Sequence, residues 1–199
     1  MPDLLADDRS IRQAEWKTRT HDRAPGLEEA LRAAGFAPDE PESVMLGAAS
    51  ALIGTEPPAG VTVRQLTHPE DIRAALDMQD SVFGGTPRAE RMLSAILEQR
   101  AREEPVEVWA AEVDGRIVSA GRIDLVPGTE FAGIWGGATL ADYRGRGIYR
   151  ALTSARVRSA MSRGVRWIHS DSTEDSRPIL ERAGLVKVTE TVPWMWQRA

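Results

Sequence analysis

The most informative segment of the sequence is Tyr143-Arg144-Gly145-Arg146-Gly147-Ile148-Tyr149-Arg150-Ala151-Leu152, which joins a predicted strand to a predicted helix. Its two glycines let the backbone approach a ligand closely, and the free N–H groups of a first helical turn point at that ligand. The helix dipole and the flanking arginines favour a negatively charged ligand. The stretch therefore predicts a cradle for a diphosphate.

The segments around this loop follow a regular order from residue 61 onward. Strands are predicted over 61–66, 106–113, 116–126, 131–140, 166–171 and 185–196, and helices over 68–83, 86–103, 147–163 and 175–183. The pair Asp114-Gly115 between two strand patterns is typical of a hairpin turn. A meander followed by a strand–helix–strand unit predicts an α/β (α+β) fold with a mixed, mostly antiparallel sheet flanked by helices.

The loop and its setting resemble the acyl-CoA pyrophosphate loop of the GNAT superfamily of N-acetyltransferases. The family motif is Gln/Arg-x-x-Gly-x-Gly/Ala, and this sequence has Arg144 to Tyr149 in its place, with Tyr149 where the last small residue is usual. The resemblance covers residues 61–199 and implies a GNAT-like fold in the order β-α-α-β-β-β-α-β-α-β. It also implies transfer of an acetyl group from acetyl-CoA, as cosubstrate, to a primary amine of a small molecule or peptide by direct attack.

The resemblance assigns the residues that would bind the cosubstrate. The pantetheine arm would pair with the main chain of Ala138, Thr139 and Leu140, and Thr173 takes the position of a cofactor-contacting asparagine. The diphosphate would be held by Arg144, Gly145, Arg146, Gly147, Ile148, Tyr149 and Arg150.

The catalytic positions depart from the family pattern. Leu180 occupies the place of a tyrosine that commonly protonates the thiolate, and the usual base position falls near Ile168, so neither side chain can exchange a proton. Catalysis would then need other groups or a water. His169 and Asp171 share one face of a predicted strand and form a candidate base with its orienting carboxylate, the alternative for His169 being a core position. Tyr149 is the candidate acid, with packing on the helix as its alternative.

Four further positions border the predicted cleft. Asp124 and Glu130 flank the meander, where they would either line the acceptor site or lie on the surface, and Trp135 would form a wall of that site. The pair Gly136-Gly137 predicts a bulge or a close backbone approach.

Two other functions stay open at the level of sequence. A non-catalytic acyl-CoA-binding module would explain Leu180 and Ile168. A dinucleotide-binding protein is suggested by Gly145-x-Gly147-x-x-Arg150 with Asp171 24 residues after Gly147, although the third glycine of that motif is missing.

Composition excludes several classes of protein. The 199 residues contain no cysteine and three well-separated histidines, so a disulfide scaffold, a thiolate nucleophile and a metal site are not expected. The start MPDLLADDRS is unlike a signal peptide, and no apolar run approaches the ~20 residues of a membrane span. We therefore expect a cytoplasmic protein with no membrane or nucleic-acid partner, and family habit suggests a homodimer.

Charge divides the chain at about residue 60. Residues 1–60 carry 6 basic and 11 acidic groups, which accounts for the whole net charge of −5. Within them, the helical pattern 27–34 ends at Gly35 and resembles the sequence around Gly184. Residues 1–60 are therefore interpreted as an N-terminal extension, a candidate remnant of a degenerate GNAT-like repeat, and residues 61–199 as the acetyltransferase domain. A run of seven arginines without an acid follows in the second part: 144, 146, 150, 156, 158, 163 and 166.

Overall fold

The computed structural model describes residues 11–54, 56–84, 88–174 and 176–198. In chain order the strands are β1 (Gln13–Arg19), β2 (Ala37–Pro38), β3 (Glu42–Ala48), β4 (Val61–Leu66), β5 (Val106–Val113), β6 (Arg116–Leu125), β7 (Phe131–Thr139), β8 (Trp167–Ser172) and β9 (Val186–Gln197). The α-helices are α1 (Leu27–Ala33), α2 (Pro69–Phe83), α3 (Ala89–Ala101), α4 (Ile148–Ser162) and α5 (Arg177–Arg182).

The chain groups into two compact units, which we describe in turn. The larger unit contains Leu46–Ser170 and Ala183–Leu185. The smaller unit contains the described parts of Met1–Met45, Asp171–Arg182 and Val186–Ala199.

The sheet of the larger unit has the strand order β8-β7-β6-β5-β4. The pairs from β4 to β7 are antiparallel, and β7 pairs with β8 in parallel. The predicted mixed, mostly antiparallel sheet is therefore confirmed. It is not the doubly wound parallel sheet that the dinucleotide-binding alternative requires.

The turn between β5 and β6 forms where the sequence predicts a hairpin. Asp114 and Gly115 both have positive φ values, 50° and 76°. Two consecutive left-handed residues match the right-handed twist of the flanking strands, which is why an Asp-Gly pair is favoured there.

Helices cover both faces of this sheet. On one face, α2 and α3 form a core with the sheet, and its buried residues come from both the helices and the strands: Leu66, Ile72, Ala75, Leu76, Met78, Ala89, Ile96, Val106, Val108, Ala110 and Ala120. On the face that carries α4, Ala111, Val118 and Ile148 form a second cluster. Ala110 and Ala111 are consecutive, and consecutive strand residues point to opposite faces, so the two clusters lie on opposite sides of the sheet.

The smaller unit is organised around β9. Strand β1 pairs antiparallel with it from Gln13↔Gln197 to Arg19↔Thr191, and β2 also pairs with it. Leu31, Phe36 and Trp194 form its buried core.

Most of the predicted elements are present within one or two residues of their predicted ends. The predicted start of the second helix at Thr86-Pro87 and the predicted helix residue Asp175 lie outside the described residues. Strand β1 was not predicted, because Gln13–Arg19 has no run of alternating apolar residues and gains its partner only from the distant β9.

Candidate functional site

Strands β7 and β8 run side by side for only a short distance. Among the described residues their parallel pairing covers Phe131–Gly133 on β7 and Trp167–His169 on β8. Ser170 then donates its hydroxyl hydrogen to Ile134 O at 3.0 Å. Beyond Gly133, β7 continues for six residues to Thr139 without this ladder, so its edge is available there for another main-chain partner.

A bulge interrupts β7 at the start of this free edge. The register with β6 passes from Arg122↔Trp135 to Ala120↔Ala138, so Gly136 and Gly137 together oppose Gly121. Gly136 has φ +60°, a conformation that L side chains rarely adopt. The bulge predicted at this glycine pair is confirmed.

The two glycines of the bulge face opposite sides of the sheet. A Cβ at position 136 would lie 3.3 Å from Nε2 of Gln79 on α2, and one at position 137 would lie 2.6 Å from the hydroxyl of Tyr149 on α4. Gln79 also donates to Gly136 O at 2.5 Å. The bulge is therefore held from one side by an amide and contacted from the other by a phenol.

The predicted diphosphate cradle forms a turn followed by a long helix. Gly145 and Gly147 have φ values of 73° and 80°, and helix α4 begins at Ile148. The first bond within the helix is Ala151 N–H to Gly147 O, so the N–H groups of residues 148–150 have no carbonyl one turn earlier. The side chains of Arg144, Arg146 and Arg150 are exposed around them. This arrangement provides donors and positive charge for an anion.

The main chain at the end of β7 is only partly available. Leu140 N–H donates to Val118 O at 2.9 Å, and Ala138 O accepts from Ser119 Oγ at 2.8 Å, so both groups are engaged by β6. Backbone groups of successive strand residues point to alternate sides. Of the three predicted pantetheine partners, Thr139 therefore presents its main chain to the free edge, where its carbonyl accepts from Arg144 Nε at 3.0 Å.

His169 lies beside Trp135 on the face that carries α2 and α3. The two rings pack edge to face with centroids 5.3 Å apart. Trp135 covers Gly133, where a Cβ would lie 2.6 Å from the indole. Because Gly133 is in register with His169 on β8 and with Asp124 on β6, these two side chains flank the indole.

Asp124 interacts electrostatically with His169 in the larger unit. Burial raises its pKa, against the opposing charges of Arg122 and His169. Arg122 Nε donates to both Asp124 oxygens, at 2.8 and 3.1 Å. Glu130, in contrast, is exposed and pairs with Arg166. Of the two flanking carboxylates, Asp124 is therefore the one that borders the site.

Asp171 and Thr173 belong to the smaller unit. Lys17 donates to Asp171 Oδ2 at 2.7 Å and to Glu42 Oε2 at 2.8 Å. Burial lowers the pKa of Lys17, but the hydrogen bonds and charges of these two carboxylates outweigh it and leave the pKa raised. Thr173 O accepts from Ser176 N and Arg177 N at the start of α5. The carboxylate of Asp171 is thus bound by a lysine, which we did not predict.

Leu180 and Ile168, which replace ionisable residues of the family pattern, are buried apolar side chains. Gln79 and Arg156 are buried polar residues that we did not single out from the sequence, although their helical spacing indicates burial. Gln79 follows Ile72 by seven residues and Arg156 follows Leu152 by four, so each lies on the buried stripe of its helix. Arg156 is fully buried, and burial lowers the pKa of its guanidinium.

Within the described part of the chain, no group of three or more His, Asp or Glu side chains is placed to hold a metal ion. None of the helices in the same ranges is long and apolar enough to cross a lipid bilayer.

Comparisons with known proteins agree with this architecture. The family profile described as acetyltransferase (GNAT) domain matches residues 54–170. A GCN5-related N-acetyltransferase from Kribbella flavida superposes with a TM-score of 0.64 at 19% identity, over 94% of this chain and 68% of that one. One from Sphaerobacter thermophilus gives 0.62 at 21% identity, over 98% and 63%. A predicted acetyltransferase from Clostridium acetobutylicum, solved with acetyl-CoA, gives 0.55 at 17%, over 64% and 91%.

The structural likenesses show a shared fold, and the search of curated proteins gave no match. The family profile covers 117 of the 199 residues, including the bulge, the glycine cradle and His169. The chain therefore belongs to the GNAT acetyltransferase family, whose members transfer acyl groups from acyl-CoA.

Proposed function

We propose that this protein is an N-acetyltransferase that moves the acetyl group of acetyl-CoA to a primary amine of a small molecule or peptide. The observation that carries the proposal is the joining of a glycine cradle at the start of α4 to a bulged strand with a free edge. A diphosphate and an extended pantetheine arm need these two features side by side. The acetyl thioester would then lie beyond Ala138, toward Gly136 and Gly137.

Binding would rest mainly on main-chain groups. The N–H groups of Ile148, Tyr149 and Arg150 would donate to the diphosphate, and Arg144, Arg146 and Arg150 would add charge-assisted bonds. Gly145 and Gly147 supply the left-handed turns that aim these groups. The main chain of Thr139, which lies between Ala138 and Leu140, would pair with the pantetheine arm. Thr173 is kept as a proposed cofactor contact.

The acceptor amine must lose a proton before or during its attack on the thioester. His169 is the proposed base, because an imidazole exchanges protons near neutral pH and its ring lies in register with the start of the free edge. We assign its orientation to Asp124, whose charge acts on it, rather than to Asp171, which binds Lys17. Trp135 would form the wall of the acceptor site.

The thiolate that leaves needs a proton, and Tyr149 is its proposed donor. The hydroxyl lies against Gly137 on the α4 face of the bulge, while His169 lies on the other face. Base and acid would thus act from opposite sides of β7. This division supports direct attack, since the two proton transfers do not compete for one position.

A second candidate function is a non-catalytic acyl-CoA-binding module. Leu180 and Ile168 favour it, since both are nearly inaccessible apolar side chains, 3% and 0% exposed, at positions where the family carries proton-transfer groups.

Two measurements separate these functions. Whichever of the two functions is correct, acetyl-CoA and CoA should each raise the Tm of the protein. Release of free thiol from acetyl-CoA in the presence of a panel of amines is expected only for the enzyme. Absence of a Tm shift with either compound contradicts both functions, whereas a shift without thiol release for any amine supports the binding module.

A further inference from the structure

Arg156 is a buried cation that no step proposed above uses. Its Nη1 donates to Arg122 O at 3.0 Å and its Nη2 to Thr153 Oγ1 at 2.9 Å. Among the described residues, its Nε–H has no hydrogen-bond partner and no carboxylate forms an ion pair with it. Burying a charge costs free energy unless an opposite charge or hydrogen bonds compensate it. The burial of this guanidinium therefore requires an explanation.

Two glycines on neighbouring strands make room for Arg156 and Tyr149. A Cβ at position 121 would lie 2.3 Å from Arg156 Nη1, and one at position 137 would lie 2.6 Å from the Tyr149 hydroxyl. Gly121 is the residue of β6 that opposes the bulge. Any other residue at either position would displace one of the two side chains from the main chain of the bulge.

The guanidinium and the phenol are neighbours in this space. Arg156 Cζ lies 5.9 Å from the centroid of the Tyr149 ring. Burial lowers the pKa of the Arg156 guanidinium, and the interaction with Tyr149 acts on this pKa in the opposite direction. Tyr149 is thus an ionisable group within reach of a positive charge that is not neutralised by a carboxylate of the described chain.

We propose that Arg156 is a positioning residue, which holds Tyr149 against the Gly136–Gly137 bulge and stabilises the phenolate that forms when Tyr149 donates its proton. The proposal rests on the proposed function, with Tyr149 as the acid. In this step the O–H bond of Tyr149 breaks and its electron pair stays on the phenolate oxygen. The carbon–sulfur bond of the thioester breaks, and its electron pair binds the proton as S–H.

The phenolate then returns to its starting state. The acceptor nitrogen loses its proton to His169 as the amide forms, and His169 then releases a proton to solvent while solvent restores the O–H bond of Tyr149. The sum is amine plus acetyl-CoA giving amide plus CoA, with no other reactant. The charge–charge attraction between the guanidinium and the phenolate exists only while Tyr149 is negatively charged, so this attraction lowers the energy of that state and not of the bound cosubstrate.

The test measures thiol release from acetyl-CoA with hydroxylamine, a small amine that is uncharged at neutral pH, after subtraction of the uncatalysed rate. The variants are Arg156→Met, Arg156→Lys, Tyr149→Phe and the double variant Arg156→Met/Tyr149→Phe. Arg158→Met is the matched control, since Arg158 lies on the same helix and pairs on the surface with Glu56. Tm values and acetyl-CoA affinity are measured for each variant.

Tyr149→Phe is expected to lower kcat about a hundredfold, and Arg156→Met on the order of tenfold with the KM for acetyl-CoA within about twofold. In the double variant the Met substitution should add no further loss. Arg156→Lys, which keeps the charge, should recover at least half of the lost activity on a logarithmic scale. Arg158→Met should match the unsubstituted chain.

An unchanged kcat in Arg156→Met overturns the inference, and so does a loss that persists undiminished on the Tyr149→Phe background. If Arg156→Met does not fold, Arg156→Lys with and without Tyr149→Phe decides by the same criterion of non-additivity. In each of these cases acetyl-CoA binding and thiol release by the unsubstituted chain still support the proposed function. An unsubstituted chain that binds acetyl-CoA but releases no thiol with hydroxylamine or with any other amine of the panel overturns the transfer reaction and this inference together.

Discussion

At the scale of single residues, the seven arginines between positions 144 and 166 have three different environments. Arg144, Arg146 and Arg150 are exposed around the glycine cradle. Arg158, Arg163 and Arg166 each pair with a glutamate. Arg156 is buried beside Tyr149. Only the first group is placed to meet the proposed diphosphate, so the basic run in the sequence overstates the positive charge that this ligand would meet.

Charge reversal in the cradle should abolish the response to acetyl-CoA. Arg144→Glu puts a carboxylate beside the diphosphate position and removes the bond to Thr139 O, and Gly147→Asp adds a carboxylate where the backbone is left-handed. In both variants the Tm increase with saturating acetyl-CoA should disappear. Arg116→Glu, an equal charge change at an exposed position of the β5–β6 hairpin, is the control. A full shift in Arg144→Glu would contradict the proposed diphosphate site.

The partly buried Asp124 should make stability depend on pH. Burial penalises the ionised carboxylate and raises its pKa, so the folded protein holds this proton more tightly than the unfolded chain. The stabilisation is fully present below the ordinary aspartate pKa of about 4 and is lost as pH rises through the raised folded value.

Asp124→Asn lacks this loss. Its free energy of unfolding relative to the unsubstituted chain should therefore increase as pH rises from about 4 through the raised folded pKa, by about 1.4 kcal/mol for each unit by which the folded pKa is raised. Urea unfolding at three pH values in this interval measures the difference. The lost hydrogen bonds to Arg122 contribute an offset, and a difference that stays flat or falls with pH would contradict the raised pKa.

At the scale of elements, helix α2 fixes the bulge of β7. Gln79 is 8% exposed, and its amide donates to the carbonyl of Gly136. Gln79→Met keeps the size of the side chain but leaves this carbonyl without its partner, which should cost about 1–2 kcal/mol of unfolding free energy. Because the bulge would then be less rigidly held, kcat should fall on the order of tenfold.

Ser81→Ala is a suitable control for Gln79→Met, since Ser81 lies on the same helix and, within the described ranges, its hydroxyl bonds to Met78 O of that helix. Chemical unfolding and thiol release are measured on both variants. Equal stability and kcat in Gln79→Met and the unsubstituted chain would show that the bulge does not depend on Gln79.

The elements of the larger unit were predictable because their signals are local. The Asp114-Gly115 turn, the apolar periodicity of α2 and the glycines before α4 each act within a few residues of chain. Strand β1 was not predictable, since its stability comes from pairing with β9 about 180 residues away.

The same distinction separates the parts of the candidate site. The cradle is one continuous segment, and the sequence predicts its conformation. The neighbourhood of His169 is assembled from β6, β7 and β8, so its link to Asp124 depends on strand register, which periodicity does not determine. Asp171 was assigned from alternation along one strand, and the ion pair with Lys17 came from a segment with no strand signal.

At the scale of the whole molecule, residues 11–45 and 186–198 contribute to one compact unit. β9 pairs along seven residues with β1, and Trp194 is buried with Leu31 and Phe36. Most of the chain's net negative charge comes from residues 1–45 of the sequence. Leu31 and Phe36 therefore cover apolar side chains of the last strand, whether or not they belong to the remnant of a repeat.

Removal of the first 55 residues should destabilise what is left. The deletion removes β1 and β3, the two strands that neighbour β9 in the sheet, and exposes Trp194, which is 1% exposed in the full chain. An unpaired strand edge beside bare apolar surface favours aggregation. We expect a lower Tm and loss of monodispersity in size-exclusion chromatography with light scattering. A truncated chain as stable and as monodisperse as the full one would contradict the prediction.

A point variant in the full chain tests the same packing without removing a strand. Leu31→Ala deletes a buried side chain from the cluster with Trp194, which should cost about 2–4 kcal/mol and lower the Tm by roughly 5–12 °C in a chain of this size. Glu29→Ala, at an exposed position of the same helix, should change the Tm by less than about 2 °C. If the two variants melt together, residues 27–33 do not stabilise β9, and the acidic N-terminal segment must be held to the protein by something other than its apolar face.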